Sequence, residues 1–190
     1  MTAARTRLEI ATENLANVST GGFRVVRGRG TLGPTGVAIR RERTNAQGSV
    51  RWTGGEFDLA LVGRGAFRVR DAHGRVVTSR DGAFARAADG TLRDRQGRVL
   101  LGVSGALRVP AGARIDDGGR VVRDGRVLDR MTLPSGTSLR AGFLEDSGVD
   151  AIAQMVDVLT AERSFESAQK VVSAIDRTRE KSASDVARVK

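Results

Sequence analysis

Cysteine is absent from this 190-residue chain, so neither disulfide bonds nor thiolate metal sites hold its fold together. Histidine occurs once, at position 73 in the turn-like sequence DAHG, without the serine or cysteine partner that a nucleophile with a histidine base requires. Adjacent carboxylates such as Asp116 and Asp117 fit turn residues better than a general acid and base. The chain is therefore predicted to be no enzyme, with no catalytic residue, metal or cofactor.

Long apolar runs are missing as well. No stretch reaches the about 18 consecutive apolar residues of a membrane span, and the opening MTAARTRLEIATENL lacks the apolar run of a secretory signal. We therefore expect no membrane-spanning segment, and we expect any export from the cytoplasm to proceed without a cleaved signal peptide. Aromatic residues are scarce, with six Phe, one Trp and no Tyr, which leaves few side chains for stacking on nucleic-acid bases.

Proline is rare and glycine abundant, with 3 and 24 residues respectively. This combination favours many tight turns over a disordered linker. Short apolar and β-branched runs begin at Phe23 and continue to about Arg140, and turn sequences such as Asp81-Gly82 and Asp89-Gly90 recur about every eight to ten residues. The middle of the chain is therefore predicted to be a series of short β-hairpins.

The formal charge of +10 is concentrated in this middle region. Residues 24–142 contain 23 Arg or Lys against 11 Asp or Glu, whereas residues 143–190 contain 7 against 9. A basic surface can meet nucleic acid, acidic glycan or phospholipid headgroups, or it can be merely solvated. A basic β domain that binds nucleic acid is therefore the main alternative from another functional class.

The sequence GRGTLG at 28–33 matches the pattern of a dinucleotide-binding loop. However, Gly33-Pro34 blocks the helix that must open at that point, and no acidic residue follows at the required distance of about 20 residues. We interpret 28–33 as a flexible loop.

Each end of the chain carries an amphipathic helical pattern. Apolar residues recur at spacings of three and four in a first helix that is expected to end near Val18 and in a second that is expected to run from the Ser147 and Asp150 caps to about Val186. The stripes consist of Ala4, Leu8, Ala11, Leu15 and Val18 in the first helix, and of Val149, Ile152, Val156 and Leu159 followed by Val158, Ala161, Phe165, Ala168, Val172 and Ile175 in the second.

The two helices have unequal lengths. About 40 residues of helix span roughly 60 Å, whereas about 17 residues span only about 25 Å. The short helix cannot cover the whole stripe of the long one, so part of that stripe is expected to contact other subunits. We expect the termini of an isolated chain to be disordered or partly helical and to fold upon assembly.

These patterns together predict an α+β protein. We expect a discontinuous coiled-coil helical domain, formed by residues 1–22 with 144–190, and a central, mostly antiparallel β domain of short hairpins at 23–143.

Four ordered blocks resemble one family of proteins. Residues 8–24, LEIATENLANVSTGGFR, resemble the N-terminal signature of the bacterial flagellar rod and hook proteins. Residues 47–69 and 78–102 resemble the glycine turns and the Thr-Arg-Asp-Gly-x-Phe hairpin of that family. The segment that begins at Leu144 resembles its terminal helix.

The resemblance implies a structural subunit of the flagellar basal-body rod, more like a proximal rod protein than a distal rod or hook-like axial protein. Such subunits polymerise through their terminal helices into a hollow drive shaft and export channel, with the β domain outside. The implied partners are further copies, neighbouring axial proteins and the flagellar export apparatus, with cell-wall material as another contact. The implied location is the rod in the periplasmic space.

Two sets of candidate residues follow. The predicted assembly interface comprises Leu8, Ala11, Asn14, Leu15, Asn17, Val18, Val149, Ile152, Val156, Leu159, Phe165, Val172 and Ile175, with Asn14 and Asn17 either fixing the register of the helices or, for Asn17, ending the first helix. The motif that resembles the family in the β domain comprises Gly54, Asp58, Gly63, Gly65, Phe67, Arg80, Asp81, Gly82, Phe84, Gly90 and Gly102.

Overall fold

A computed structural model describes residues 2–33 and 36–188. The described residues form two helices and fifteen short strands, so the chain is α+β, with several small antiparallel sheets. The helices are α1, Thr2–Ala16, and α2, Ala151–Arg188. The strands are β1 Val26–Gly33, β2 Gly36–Arg43, β3 Val50–Trp52, β4 Leu59–Val62, β5 Phe67–Arg70, β6 Val76–Ser79, β7 Ala85–Arg86, β8 Leu92–Arg93, β9 Val99–Gly102, β10 Gly105–Ala106, β11 Arg114–Ile115, β12 Arg120–Arg123, β13 Arg126–Arg130, β14 Ser138–Ala141 and β15 Phe143–Glu145.

The end of α1 and the beginning of α2 each have a local cause. α1 ends at Ala16, slightly before the expected Val18, because Asn17 opens a turn in which its carbonyl accepts the Thr20 N–H at 3.1 Å. α2 begins after Asp150, whose Oδ1 accepts the N–H groups of Ile152 and Ala153 at 3.0 and 3.1 Å. Asp150 is thus the N-cap of α2 and satisfies two of its free backbone donors.

The described chain divides into two compact units. The first, called here the helical unit, contains α1, the β1–β2 hairpin and α2. The second, called the β unit, contains Asn17–Val25 and Thr44–Val149. The hairpin, which sequence reasoning assigned to the β domain, lies with the helices because β1 and β2 pack against α1.

The hairpin also corrects the interpretation of GRGTLG as a flexible loop. Residues 28–33 lie in β1 and pair antiparallel with β2, from Val26 opposite Arg43 to Gly33 opposite Gly36. Two regularly paired strands satisfy each other's backbone hydrogen bonds, which outweighs the conformational cost of the glycines.

The β unit is a set of small antiparallel sheets around one core. The largest sheet has the order β6-β5-β9-β8-β7 with β10 paired to β9, and the others are β11-β12-β13, β14-β4 and β15-β3. No helix within residues 2–33 and 36–188 is long and apolar enough to cross a bilayer. The core comprises Leu59, Leu61, Phe67, Val69, Phe84, Leu92, Leu100, Leu107, Val109, Ala113, Ile115, Val121, Met131 and Leu139.

Three hairpin turns in the β unit share the sequence D-x-x-G-R. We call them the clasped turns, and they lie at 71–75, 94–98 and 116–120. In each, one Asp oxygen accepts the backbone N–H groups two and four residues later, and the other accepts Nε of the Arg at 2.6–2.9 Å. The glycine has φ between +72° and +79°, a conformation that a side chain makes unfavourable. Three of the many arginines therefore serve to close turns.

Candidate assembly interface

One face of α2 is covered by α1. Its members recur at alternating spacings of three and four residues, and α1 packs against α2 along this row. The α1 residues that are buried are Ile10, Ala11 and Asn14. The buried or half-buried row of α2 comprises Ala151, Gln154, Val158, Ala161, Phe165 and Ala168.

Asn14 joins three elements of the helical unit. Its side chain is 1% exposed. Its Nδ2 donates to the carbonyl oxygen of Val26 and to Oε1 of Gln154, both at 2.8 Å, while its Oδ1 accepts the Val26 N–H at 2.9 Å. The amide thus pairs with the backbone of β1 as a neighbouring strand would and ties both to the first turn of α2. Every donor and acceptor of this buried amide has a partner, as burial requires.

The Asn14–Gln154 contact also shows in which direction α1 runs relative to α2. Asn14 lies in the last turn of α1 and Gln154 in the first turn of α2. Because α1 packs along α2 from that point, the two helices run antiparallel. The 15 residues of α1 span about 22 Å and the 38 residues of α2 about 57 Å, so roughly 35 Å of α2 extends beyond the reach of α1.

Two apolar patches on α2 have no cover within the described chain. The outer patch, Ile152, Met155, Val156 and Leu159, lies opposite the row that faces α1, and its members are 52–77% exposed. The distal patch, Val171, Val172 and Ile175, continues the covered row beyond the reach of α1 and is 40–59% exposed. Seven large apolar side chains on one helix exceed the scattered exposure that is normal for a single subunit.

The predicted interface residues occupy three kinds of place. Ala11 and Asn14 are buried and Leu8, Leu15 and Phe165 half-buried in the helical unit, whereas Ile152, Val156, Leu159, Val172 and Ile175 are exposed on α2. Asn17 and Val18 lie in the turn after α1, and Val149 lies just before α2, all within the β unit. Val156 therefore does not face α1 but lies on the exposed side of α2 with Ile152 and Leu159, the residues that share its predicted stripe.

A buried ion pair organises the β unit. The side chains of Arg80 and Glu145 are 8% and 1% exposed, and Nη2 of Arg80 lies 2.6 Å from Oε2 of Glu145. The guanidinium also donates to the carbonyl oxygens of Leu61, Gly63 and Gly65 at 2.5–2.7 Å. The backbone carbonyl groups on either side of Arg64 thus hold an arginine of the same chain.

Glu145 is shared with a second arginine. Nη2 of Arg24 lies 3.7 Å from Oε1 of Glu145, and Nη1 of Arg24 donates to the carbonyl oxygen of Asn45 at 2.8 Å. Burial and then the charge of Arg80 lower the pKa of Arg24, while Glu145 acts to raise it. Without Glu145, two arginines would face each other with no opposing charge.

The candidate motif residues of the β unit serve its folding. Phe67 and Phe84 meet edge to face in the core with ring centroids 5.3 Å apart. A Cβ on Gly82 would lie 1.6 Å from the carbonyl oxygen of Leu59, so no side chain fits there. Asp58 accepts the Thr53 hydroxyl at 2.5 Å, and Asp81 accepts the Ala83 N–H at 3.1 Å. The remaining glycines of the set, Gly54, Gly63, Gly65, Gly90 and Gly102, lie in or beside the turns of the same sheets.

Sequence reasoning missed three features of these sites. Gln154 was not singled out, and Glu145 was not predicted to form a buried ion pair, although it ends a strand that begins with Phe143 and Leu144 and a buried charge requires a partner. The clasped turns were predicted only as turns, without the pairing of Asp with Arg. The arginine that follows each glycine was available as a signal, because D-x-x-G-R occurs at all three places.

Comparisons with known proteins converge on one family. The family described as "Flagella basal body rod protein" matches residues 1–24, and the one described as "Flagellar basal body rod FlgEFG protein C-terminal" matches residues 140–185. The flagellar basal-body rod protein FlgF of Caulobacter vibrioides is 30% identical to this chain, over 97% of the chain and 92% of the relative. The chain belongs to the flagellar basal-body rod protein family.

Other relatives carry the same description. The basal-body rod protein FlgG of Agrobacterium fabrum is 26% identical, over 93% of this chain and 92% of the relative. The basal-body rod protein FlgF of Escherichia coli is 27% identical, over 88% and 87%. The two matched family segments include α1 and most of α2, the helices of the helical unit of this rod-family protein.

Proposed function

We propose that this protein is a structural subunit of the flagellar rod and that it polymerises through the uncovered part of α2. The observation that carries the proposal is the continuation of the apolar row of α2 into the distal patch, beyond the reach of α1. In the assembled rod, the helices of neighbouring copies cover this surface and extend the packing of α1 on α2 into a coiled coil.

The energetics favour such an arrangement. Full burial of a Val, Leu, Ile or Met side chain stabilises a complex by about 1.5–3 kcal/mol, and the outer and distal patches contain seven of them. The two patches differ in residues and in position along α2. A contact between different patches of successive copies repeats head to tail and generates an open helical polymer.

The finer features of the proposal rest on membership of the family. The polymer forms a hollow drive shaft and export channel, with the β unit on its outside. The subunit contacts neighbouring axial proteins, is exported by the flagellar apparatus without a cleaved signal peptide, and lies in the periplasmic rod close to cell-wall material. We assign it to the proximal rod, with a distal or hook-like position as the alternative.

The first experiment removes the gene. A deletion strain is expected to lose the protein from purified basal bodies, to assemble no complete rods and to be non-motile, and the full chain supplied in trans is expected to restore all three. Normal motility and intact rods in the deletion strain would contradict the proposal.

The second experiment tests the distal patch. Val172→Ser with Ile175→Ser is expected to leave the stability of the isolated chain within about 0.5 kcal/mol, as exposed substitutions do, and to reduce incorporation into basal bodies strongly. Val76→Ser with Val103→Ser is the matched control, since both valines are exposed on the β unit at 46% and 55%. Equal incorporation of the two variants would exclude the distal patch as an assembly surface.

Nucleic-acid binding, the alternative from another class, is favoured by no specific observation. Arg75, Arg98 and Arg120 close clasped turns, and Arg80 is buried against Glu145. Retention of the purified chain on DNA with a steep salt dependence would revive this alternative.

A further inference from the structure

The outward face of the β1–β2 hairpin carries three arginines and a single acidic residue, Glu42. Successive strand residues point to opposite faces. Val26, Gly28 and Ile39 lie on the face toward α1, where a Cβ on Gly28 would be 3.1 Å from Cδ1 of Ile10. Arg27, Arg29 and Arg40 lie on the other face, which we call the arginine face, and all three are exposed.

The register of the hairpin makes this face electrostatically unfavourable in an isolated chain. Arg29 is directly opposite Arg40, while Arg27 is opposite Glu42. Like charges that are directly opposite on one face of a sheet destabilise it. Among the residues that the structure describes, none forms an ion pair with these three arginines. An acidic surface placed across Arg29 and Arg40 would relieve the repulsion.

A surface of complementary charge lies on α2. Residues 162, 166, 169, 173, 176 and 180 follow alternating spacings of four and three and therefore share one face of the helix. This face contains no basic residue and is fully exposed. Its acidic members, called here the carboxylate row, are Glu162, Glu166, Asp176 and Glu180, and the structure gives them no ion pair with any described residue.

The spacings of the two surfaces agree. Glu162 and Glu166 are one helical turn apart, with a rise of about 6 Å. Arg29 and Arg40 face each other across a strand pair at about 5 Å, and Arg27 and Arg29 are separated by about 7 Å along β1. Both surfaces belong to the helical unit, yet no ion pair joins them within the described chain.

We propose that the arginine face of one copy docks on the carboxylate row of a second copy. This contact deepens the proposed function, on which it rests, by naming the second pair of surfaces that successive subunits bring together. It is heterologous, as head-to-tail polymerisation requires. Copies with a net charge of +10 repel each other at long range, and the carboxylate row gives an approaching hairpin a local region of opposite charge that fixes its orientation.

A charge swap tests the contact in the full chain, expressed in the deletion strain. Arg29→Glu with Arg40→Glu, and separately Glu162→Arg with Glu166→Arg, are each expected to reduce assembled rods per cell by at least about tenfold, because like charges then meet across the interface. The chain with all four changes regains complementarity and is expected to recover most of the assembly. Arg68→Glu with Arg126→Glu is the control, since it makes the same charge change at exposed positions of β5 and β13 in the β unit.

The outcomes separate the two proposals. Failure of the unaltered chain to form rods would contradict the proposed function itself. Normal assembly with either double reversal, or loss of assembly that the four-fold swap does not restore, would overturn the docking of these two surfaces while the proposed function stands. Circular dichroism of each purified variant checks that the helices are retained, which the exposure of all four positions leads us to expect.

A proximity measurement gives an independent readout. The chain has no cysteine, so Arg29→Cys with Glu162→Cys introduces the only two thiols. A short bis-maleimide is expected to join residue 29 of one copy to residue 162 of the next in assembled rods and to produce a ladder of covalent oligomers. Arg126→Cys with Glu162→Cys is expected to give no ladder, and equal ladders from both pairs would contradict the proposal.

Discussion

At the scale of single residues, Asn14 joins α1, β1 and α2. Asn14→Leu removes the partners of the Val26 N–H and carbonyl and of Gln154 while it fills the same space. A buried backbone group without a partner costs about 1–3 kcal/mol, so we expect the helical unit to lose at least that much stability. Loss of hydrogen-exchange protection in α1 and β1 would measure it. Unchanged protection in both elements would show that the amide does not hold them together.

Glu145 has the corresponding role in the β unit. Glu145→Gln leaves Arg80 buried and charged beside Arg24, and breaking a buried pair in this way costs about 3–5 kcal/mol. The exposed pair Arg51–Asp146 in the neighbouring strand is the control, because Arg51→Met at such a site costs about 1 kcal/mol or less. Urea unfolding of both variants gives the comparison, and similar midpoints would contradict the assignment.

Two aspartates in the turns of the β unit are expected to contribute to its stability against acid. Burial opposes the charge of Asp71 and Asp116, but hydrogen bonds from Arg75 and Arg120 lower the pKa of each below its ordinary value. A lowered pKa in the folded state stabilises the fold above the unfolded value of about 3.9, and this stabilisation is lost as the pH falls through the folded value. Asp71→Asn with Asp116→Asn should therefore flatten the decline in the unfolding midpoint below about pH 4. If the unfolding midpoint of the double variant declines below about pH 4 as steeply as that of the unaltered chain, these turns do not cause the decline.

At the scale of elements, the two parts of α2 differ in their support. The buried or half-buried row of α2 ends at Ala168, and a helical segment as long as the part beyond it is marginal in water without packing. In the isolated chain, trypsin should cleave after Lys170, Arg177 and Arg179 before it cleaves within 44–149. In assembled rods the same sites should be protected. Equal resistance of the two regions in the isolated chain would contradict a need for a partner.

How far the sequence predicts these elements depends on whether the deciding interaction is local. The period of α2 and its cap at Asp150 are local, so its length was predicted closely. The spacing placed Val158, Ala161 and Phe165 on one row and Val156 on another, but it could not tell which row α1 covers. Strand β1 was misread as a loop because its three glycines argue for flexibility, although its partner β2 begins only three residues after β1 ends.

The buried polar sites show the same limit. Asn14 and Glu145 both act across long sequence separations, to Gln154 and Arg80 respectively. The spacing of apolar residues along the sequence gives no indication of such a pair. The clasped turns are the opposite case, since each is complete within five residues and its sequence alone could have identified it.

At the scale of the whole molecule, the β1–β2 hairpin is an insertion in the β unit. The chain leaves that unit at Val25 and returns at Thr44, and the Thr44 N–H donates to the Val25 carbonyl at 2.9 Å. Replacement of residues 26–43 by Asn-Gly, which closes a two-residue hairpin, should leave hydrogen-exchange protection in β5 and β9 unchanged. The same replacement should abolish rod assembly, since it removes β1 and the arginine face. Loss of protection in β5 and β9 would show that the β unit requires the hairpin.

The hydrogen bond between Val25 and Thr44 also has a practical meaning. Because the backbone at Val25 and Thr44 is held at a fixed, short separation, the β unit can accommodate inserted segments of very different lengths between these two residues. A lengthened hairpin or an antibody epitope inserted between these residues would begin and end at the same two positions of the β unit. The junction is thus a natural attachment point, where the reach of the subunit toward its neighbours could be altered without redesign of the β unit.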